Sequence, residues 1–302
     1  MQIRRFVWKA TMRAFVVLTP SESKRLIARA VARKQEVQIA MEKAYVILFE
    51  GTTTTYIAQE LFGVDVSCTH FTSGLNVSGV LCNSDRGVRG QFPLVAYKGE
   101  LVDVPYEKAL EHFHKETVII KGANAIDHAG FIGIIVSGYT GGSISKVIGT
   151  SVSQGLRIIC PVGLEKTIFS VVEAAKRTGG KNFDYAMGAD FGLFVLTHAD
   201  IVTELQAIRI LSDADAIPVA AGGIDGSEGS VVLTIEGGEE PVRKAVQIIE
   251  SIKGEPAQKG IRMKCPGQTN AAGEPSQCKY VNCTFYPREN SNLPRWLRTQ
   301  KE

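Results

Sequence analysis

The most constraining feature of this sequence is a series of short, wholly apolar runs, each followed at once by a glycine-containing turn. The run AYVILF at 44–49 leads to Gly51 and four threonines at 52–55, and an amphipathic segment closed by Gly63 comes next. Apolar runs of this length are typical of strands buried on both faces. Glycine permits a tight turn and threonine suits the start of a helix. The pattern therefore predicts a strand–turn–helix unit.

The same arrangement recurs along the chain. Further strands are predicted at 117–122 (TVIIKG), 131–138 (FIGIIVSG) and 156–163 (LRIICPVG), and a capped helix is predicted at 19–43. Strands that alternate with helices indicate an α/β fold with a mainly parallel sheet and helices on both faces. Right-handed crossovers would then place all strand-to-helix turns at one sheet edge, where open α/β sheets bind ligands.

Changes in pattern predict three regions. Residues 14–193 form the α/β ligand-binding domain, and residues 194–256 form a small α+β domain of ferredoxin-like type with antiparallel strands. Residues 257–302 lose all periodicity and carry Pro, Gly, Asn and Gln, so an irregular tail with three cysteines is expected there.

Charge and hydropathy narrow the classes of partner. The net charge of +3 is uneven, because residues 1–13 carry +4 and residues 257–302 carry +5, which leaves −6 for residues 14–256. A body of that sign disfavours nucleic acid. No run of 18 uninterrupted apolar residues predicts a membrane span. Irregularly spaced cysteines do not suggest a secreted disulfide scaffold, so a cytoplasmic location is expected.

Four turns carry the candidate ligand-binding groups. The first is Gly51 with Thr52, Thr53 and Thr54, where free helix amides and hydroxyls suit a phosphate or carboxylate. The alternative is helix capping by one threonine. The other turns begin at Lys121, Gly138 and Pro161, and they supply the candidates Gly141, Gly142 and Lys166. Taken one at a time, Lys121, Lys146 and Lys166 are equally consistent with ordinary surface lysines.

In this order the turns resemble those of type A ribose-5-phosphate isomerases, whose fold group includes glucosamine-6-phosphate deaminases and coenzyme A transferases. The resemblance covers roughly residues 19–254 and concerns motif order rather than long identical stretches. It implies phosphate-contacting roles for Lys24, Thr52, Thr53 and Lys166. It also implies an oligomer, since related folds form dimers or tetramers, and we expect a homo-oligomer by that analogy alone.

The proton-moving positions of the family are not kept. Lys121 and Asn124 stand where the family has two aspartates, Ser137 where it has a lysine, and Lys146 where it has the catalytic glutamate. Because aldose–ketose isomerisation needs a carboxylate base, isomerisation of ribose 5-phosphate is not expected. The candidate catalytic residues are accordingly Lys121, Asn124, Lys146 and Asp127, with Glu165, Glu204 and His128 as further possible bases. Two added lysines favour a more anionic ligand, such as a bisphosphate, a phospho-acid or a coenzyme A phosphate.

Three cysteines, Cys265, Cys278 and Cys283, fall within the expected tail. Three soft ligands in a segment without a core could bind zinc or an iron–sulfur cluster, with a fourth ligand from elsewhere. Their C-x12-C-x4-C spacing matches no standard pattern, and buried thiols or a disulfide are the alternatives.

Three functions follow from the sequence. The leading hypothesis is a protein that binds a small phosphorylated or carboxylated metabolite, as an isomerase, lyase or transferase of altered chemistry. The second is a non-catalytic regulatory protein that keeps the anion pocket. The third is a metal- or iron–sulfur-linked assembly subunit that uses the cysteine tail.

Overall fold

A computed structural model describes residues 11–287 of the chain. Its strands, in chain order, are β1 (Met12–Leu18), β2 (Tyr45–Leu48), β3 (Gly74–Val77), β4 (Val80–Asn83), β5 (Leu94–Tyr97), β6 (Glu100–Leu101), β7 (Val118–Ile120), β8 (Ala125–Ile126), β9 (Ile132–Val136), β10 (Arg157–Pro161), β11 (Gly192–Leu196), β12 (Asp200–Val202), β13 (Asp215–Ala221) and β14 (Val231–Gly237). Its α-helices are α1 (Pro20–Arg33), α2 (Gln35–Lys43), α3 (Thr52–Phe62), α4 (Tyr106–Glu111), α5 (Gly142–Gln154), α6 (Val171–Ala175), α7 (Glu204–Ser212) and α8 (Glu239–Glu250). Helices combined with mixed sheets confirm the α/β class in its broad form.

A six-stranded mixed sheet forms the centre of the molecule, in the order β12-β10-β7-β2-β5-β6. Strands β12, β10, β7 and β2 run parallel, whereas β5 and β6 continue the sheet antiparallel. Alternate side chains leave the sheet on opposite faces, as strand geometry requires. Val46 and Leu48 join a core with α1, α2, α3 and α7, while Ile47 and Phe49 join a core with α4 and α5. Helices therefore cover both faces.

The first helix shows how local sequence sets an element boundary. The Thr19 hydroxyl accepts a hydrogen bond from the Glu22 amide, and the Glu22 carboxylate accepts one from the Thr19 amide. This reciprocal cap, with Pro20 in the first turn, begins α1 as the sequence predicts. The predicted helix over 19–43 is divided, however. Lys34 adopts an extended conformation between α1 and α2, and its amine pairs with Glu36 and Asp200.

The strand predicted at 131–138 exists, but its expected place in the parallel sheet is wrong. It is β9, the middle strand of a separate antiparallel sheet, β11-β9-β8. This small sheet packs against the α4 and α5 side of the central sheet through Ile132, Ile134 and Leu196. An apolar run has the same appearance in either setting, which is why sequence alone misplaced it.

A third sheet, β1-β14-β13, is antiparallel and packs against α7 and α8. The sequence predicted antiparallel strands within residues 194–256, where β13 and β14 lie, but no strand at β1. The boundaries expected at 14–193 and 194–256 do not follow the strand pairing. β1 crosses from the first range to pair with β14, and β12 lies in the second range yet pairs with β10.

The described part of the tail, residues 257–287, has isolated bridges only. It lies along the body, where the Met263 amide donates to the Asn83 carbonyl and the Thr284 amide donates to the Ala186 carbonyl. The irregular tail expected there is thus present as far as residue 287, and residues 288–302 lie outside the described part. Within residues 11–287, no helix has the length and apolar character needed to cross a bilayer.

Candidate functional site

A cavity of about 720 Å³ opens at the carboxyl ends of β2, β7 and β10. Small-molecule sites typically measure roughly 300–1,000 Å³, so the volume suits a metabolite. The β3–β4 hairpin, the end of β9 and the start of α5 complete its wall. Its lining includes the following polar and charged residues: Lys24, Glu50, Thr52, Thr53, Ser73, Asn76, Asn83, Lys121, Asn124, Ser137, Ser143, Glu165 and Lys166.

The threonine turn supplies the first wall. Thr52 and Thr53 line the cavity at the N-terminus of α3, where no side chain caps the helix and its first amides remain available. The Thr53 hydroxyl is buried and has no hydrogen-bond partner among residues 11–287. Such an orphaned group is costly unless a ligand satisfies it. The candidate Thr54 faces elsewhere, because its hydroxyl donates back to the Gly51 carbonyl at 3.1 Å.

Helix α5 brings a second N-terminus to the same cavity. Gly142 and Ser143 line the cavity, and no side chain caps this helix either. Gly141 precedes it in the left-handed conformation, at φ 74°, but does not itself line the cavity. Both helix dipoles therefore present their positive ends to one space, an arrangement that favours an anion.

Lys24 and Lys166, the two lysines assigned to phosphate by resemblance, both reach the cavity. The Lys24 amine lies 2.5 Å from Oε1 of Glu165 and also donates to the Pro20 carbonyl at 3.3 Å. The Lys166 amine donates to the Ala123 carbonyl at 2.7 Å. Burial lowers the pKa of Lys166, and the neighbouring charge of Lys24 adds to that effect. An anion between these amines would relieve their mutual repulsion.

Lys121 lies deeper in the wall, directly after β7, and is only 7% exposed. Its amine sits 5.0 Å from the centre of the Phe49 ring. Burial lowers the pKa of Lys121 below its usual value of 10.5, while Glu50 and Cys160 act in the opposite direction. Among residues 11–287 this amine has no hydrogen-bond or ion-pair partner.

Asn124 lies at the rim and has a clear structural task. Its side-chain oxygen accepts the Ile135 amide at 2.9 Å, and its own amide donates to the Gly133 carbonyl at 2.8 Å. These bonds tie the turn after β7 to β9. In the described part of the chain, the side-chain amide nitrogen of Asn124 has no such bond, so it can donate to a ligand.

Two candidate catalytic residues, Lys146 and Asp127, lie outside the cavity lining. The Lys146 side chain is 52% exposed and its amine donates to Glu107, which raises the pKa of Lys146. Asp127 is buried, and its two oxygens accept the amides of Ala129, Phe131 and Val171. These bonds satisfy the Asp127 carboxylate within its own loop and at the start of α6.

Glu204 and His128 are the other suggested bases, and their surroundings differ. Glu204 is fully buried, and both its oxygens accept the Leu164 amide, at 3.2 and 2.9 Å. It therefore supports the turn that carries Glu165 and Lys166. Burial raises the pKa of Glu204 above its usual value. His128 is exposed and does not line the cavity.

Within residues 11–287, the tail cysteines are not part of any group suited to a metal ion. No group of three His, Cys, Asp or Glu side chains in the part of the chain that the structure describes could hold an ion. Cys283 accepts the Phe285 amide at its sulfur, and Cys278 packs against Val80, Cys82 and Met263. These thiols pack as small apolar groups.

Sequence reasoning missed several lining residues: Glu50, Asn76, Asn83 and Phe191. The sequence position of Glu50 could have identified it as a lining residue, since it stands between a buried strand and the threonine turn. The hairpin residues lie in a stretch rich in Gly, Ser and Asn, a composition that does not indicate which side chains line a cavity. Against known proteins, no family model, no curated protein and no solved structure matches this chain.

Proposed function

We propose that this protein binds a small metabolite bearing a phosphate or carboxylate group in the cavity at the carboxyl ends of β2, β7 and β10. The observation that carries the proposal is the meeting of two uncapped helix N-termini with Lys24 and Lys166 around one space. Backbone amides and lysines are the groups that proteins use to hold such anions.

The buried Thr53 hydroxyl supports the same proposal. It lies at the N-terminus of α3 and lacks a partner within the described residues. A bound anion oxygen would accept from it and from the adjacent amides together. The ribose-5-phosphate-isomerase-like fold group, with its mainly parallel sheet and ferredoxin-like domain, remains part of the proposal, as does homo-oligomer formation.

Calorimetric titration with inorganic phosphate tests anion binding directly. Lys166→Met should weaken phosphate binding by about tenfold or more, because a charge-assisted bond is lost. Lys146→Met provides the matched control, since Lys146 is exposed outside the cavity lining. Equal phosphate affinity in wild type and Lys166→Met, or no binding by wild type, would contradict the proposal.

The small number of carboxylates in the described lining favours a binding role over isomerase-type proton transfer. Only Glu50 and Glu165 among those lining residues carry a carboxylate, and Glu165 is engaged by Lys24. A regulatory binding protein is therefore the second candidate. Turnover assays with phosphosugars, phospho-acids and acyl-coenzyme A compounds distinguish the two, because a binding protein holds these compounds without converting them.

A further inference from the structure

Three lysine amines belong to the cavity, and their partners differ. Lys24 is held by Glu165, and Lys166 is held by the Ala123 carbonyl. Lys121 alone among them has neither an ion pair nor a hydrogen bond within residues 11–287. A lysine placed in this way has a nitrogen lone pair available whenever its proton is lost.

The surroundings of Lys121 favour that neutral form. The residue is 7% exposed, with the Phe49 ring on one side and the buried strand β7 behind it. The titratable groups that act on it are Glu50, next to Phe49, and the buried Cys160 of β10. Desolvation outweighs both and lowers the pKa of Lys121. Desolvation in an apolar wall is a recognised way to activate a lysine as a nucleophile.

We propose that Lys121 is a nucleophile that forms an imine with the carbonyl group of an anionic ligand held in the cavity. This inference rests on the proposed anion binding, since the anionic group would hold the ligand at the α3 N-terminus and Lys166. The ligand class is accordingly an oxo-acid or a phosphorylated ketone or aldehyde.

The step balances without any oxidant or reductant. The Lys121 lone pair adds to the carbonyl carbon, and a proton passes from nitrogen to oxygen to give a carbinolamine. The carbon–oxygen bond then breaks, the hydroxyl takes up the remaining proton of the nitrogen and leaves as water, and a carbon–nitrogen double bond forms. Hydrolysis reverses the sequence. Added borohydride supplies the hydride that reduces the imine to a stable secondary amine.

Borohydride trapping on the full chain tests the inference. Pyruvate, glyoxylate and dihydroxyacetone phosphate are incubated with the protein and borohydride, and the modified lysines are mapped by peptide mass spectrometry. We expect at least one probe to label Lys121 about tenfold or more faster than the exposed Lys146, the factor that one unit of pKa difference supplies. Labelling at Lys121 should also reach its plateau at a lower pH than labelling at Lys146, whose pKa is raised.

Two further arms separate this inference from the proposed function. Lys121→Met should lose the adduct, and Lys146→Met should keep the adduct. Phosphate bound by wild type with Lys121 labelled no faster than Lys146 overturns the imine and leaves anion binding intact. Failure of both phosphate binding and labelling overturns both. Since site mapping is done on wild type, a misfolded variant does not decide the result.

Discussion

The amine of Lys24 lies 2.5 Å from Oε1 of Glu165, which joins the first helix to the turn after β10 in the wall of the cavity. Both side chains are largely buried, at 11% and 17% exposure. The pair therefore has two effects. It links elements far apart in the chain, and it places a negative charge beside the proposed anion site.

Replacing Glu165 should separate these two effects. Glu165→Gln removes a negative charge and frees Lys24, so inorganic phosphate should bind several-fold more tightly. The free energy of unfolding should fall by about 1–3 kcal/mol, because a partly buried charged bond is weakened. Calorimetry and urea unfolding measure the two quantities. Glu107→Gln, which removes the partner of the exposed Lys146, should change neither, and unchanged or weaker phosphate binding by Glu165→Gln would count against the site.

The unpartnered hydroxyl of Thr53 leads to a second prediction. Thr53→Val keeps the shape of the side chain but removes the buried hydroxyl, so stability should rise by about 1 kcal/mol. Phosphate affinity should fall, since the hydroxyl can no longer donate to the anion.

Thr54→Val is the matched comparison one residue further along. It loses the bond to the Gly51 carbonyl, so it should lower stability by about 1 kcal/mol and leave phosphate affinity unchanged. If the two valine variants change binding equally, Thr53 has no special role.

Glu204 should make stability fall as pH rises. Burial raises its folded pKa above the unfolded value near 4.5, so the folded state holds a proton that the unfolded state has lost. The contribution of Glu204 to the free energy of unfolding is therefore largest below pH 4.5 and declines as pH rises through the folded pKa. Glu204→Gln should abolish that decline, so its stability relative to wild type should increase with pH. Urea unfolding from pH 4 to 8 measures the difference, and parallel curves would refute it.

The contribution of Glu22 to stability should show the opposite dependence on pH. Burial alone would raise its pKa, but hydrogen bonds from Lys253, Thr19 and Gly254 outweigh burial and hold the pKa of Glu22 below 4.5. Its stabilising contribution is present above pH 4.5 and is lost as pH falls through the folded pKa. Glu22→Gln should cost about 1–3 kcal/mol at pH 7 and progressively less in acid. A constant difference across pH would show that the charge of Glu22 does not matter.

Sequence reasoning was most effective where local pattern and tertiary environment agree. A buried strand, a polar turn and a helix predicted β2 with α3, and the strand-end rule brought Thr53, Lys121 and Lys166 to one cavity. This works because parallel strands point their carboxyl ends the same way, whatever the side chains beyond them.

The same reasoning failed where pairing partners are distant. The apolar residues of β9 fit a parallel or an antiparallel neighbour equally well, and only the contact with β11 decides. Lys146 sits on a helix that starts at the cavity, but it projects to Glu107 on the outer surface. Residue spacing along α5 could not show that direction without knowledge of α4.

Strand β1 hydrogen-bonds along its length to β14, from Met12 opposite Gly237 to Leu18 opposite Val231. During synthesis β1 therefore stays unpaired until β14 has been made, which takes roughly 10–45 s at about 5–20 residues per second. Throughout that interval Phe15 and its neighbours have no strand to pair with. In a growing chain, β1 is therefore exposed to wrong association until Gly237 has emerged from the ribosome.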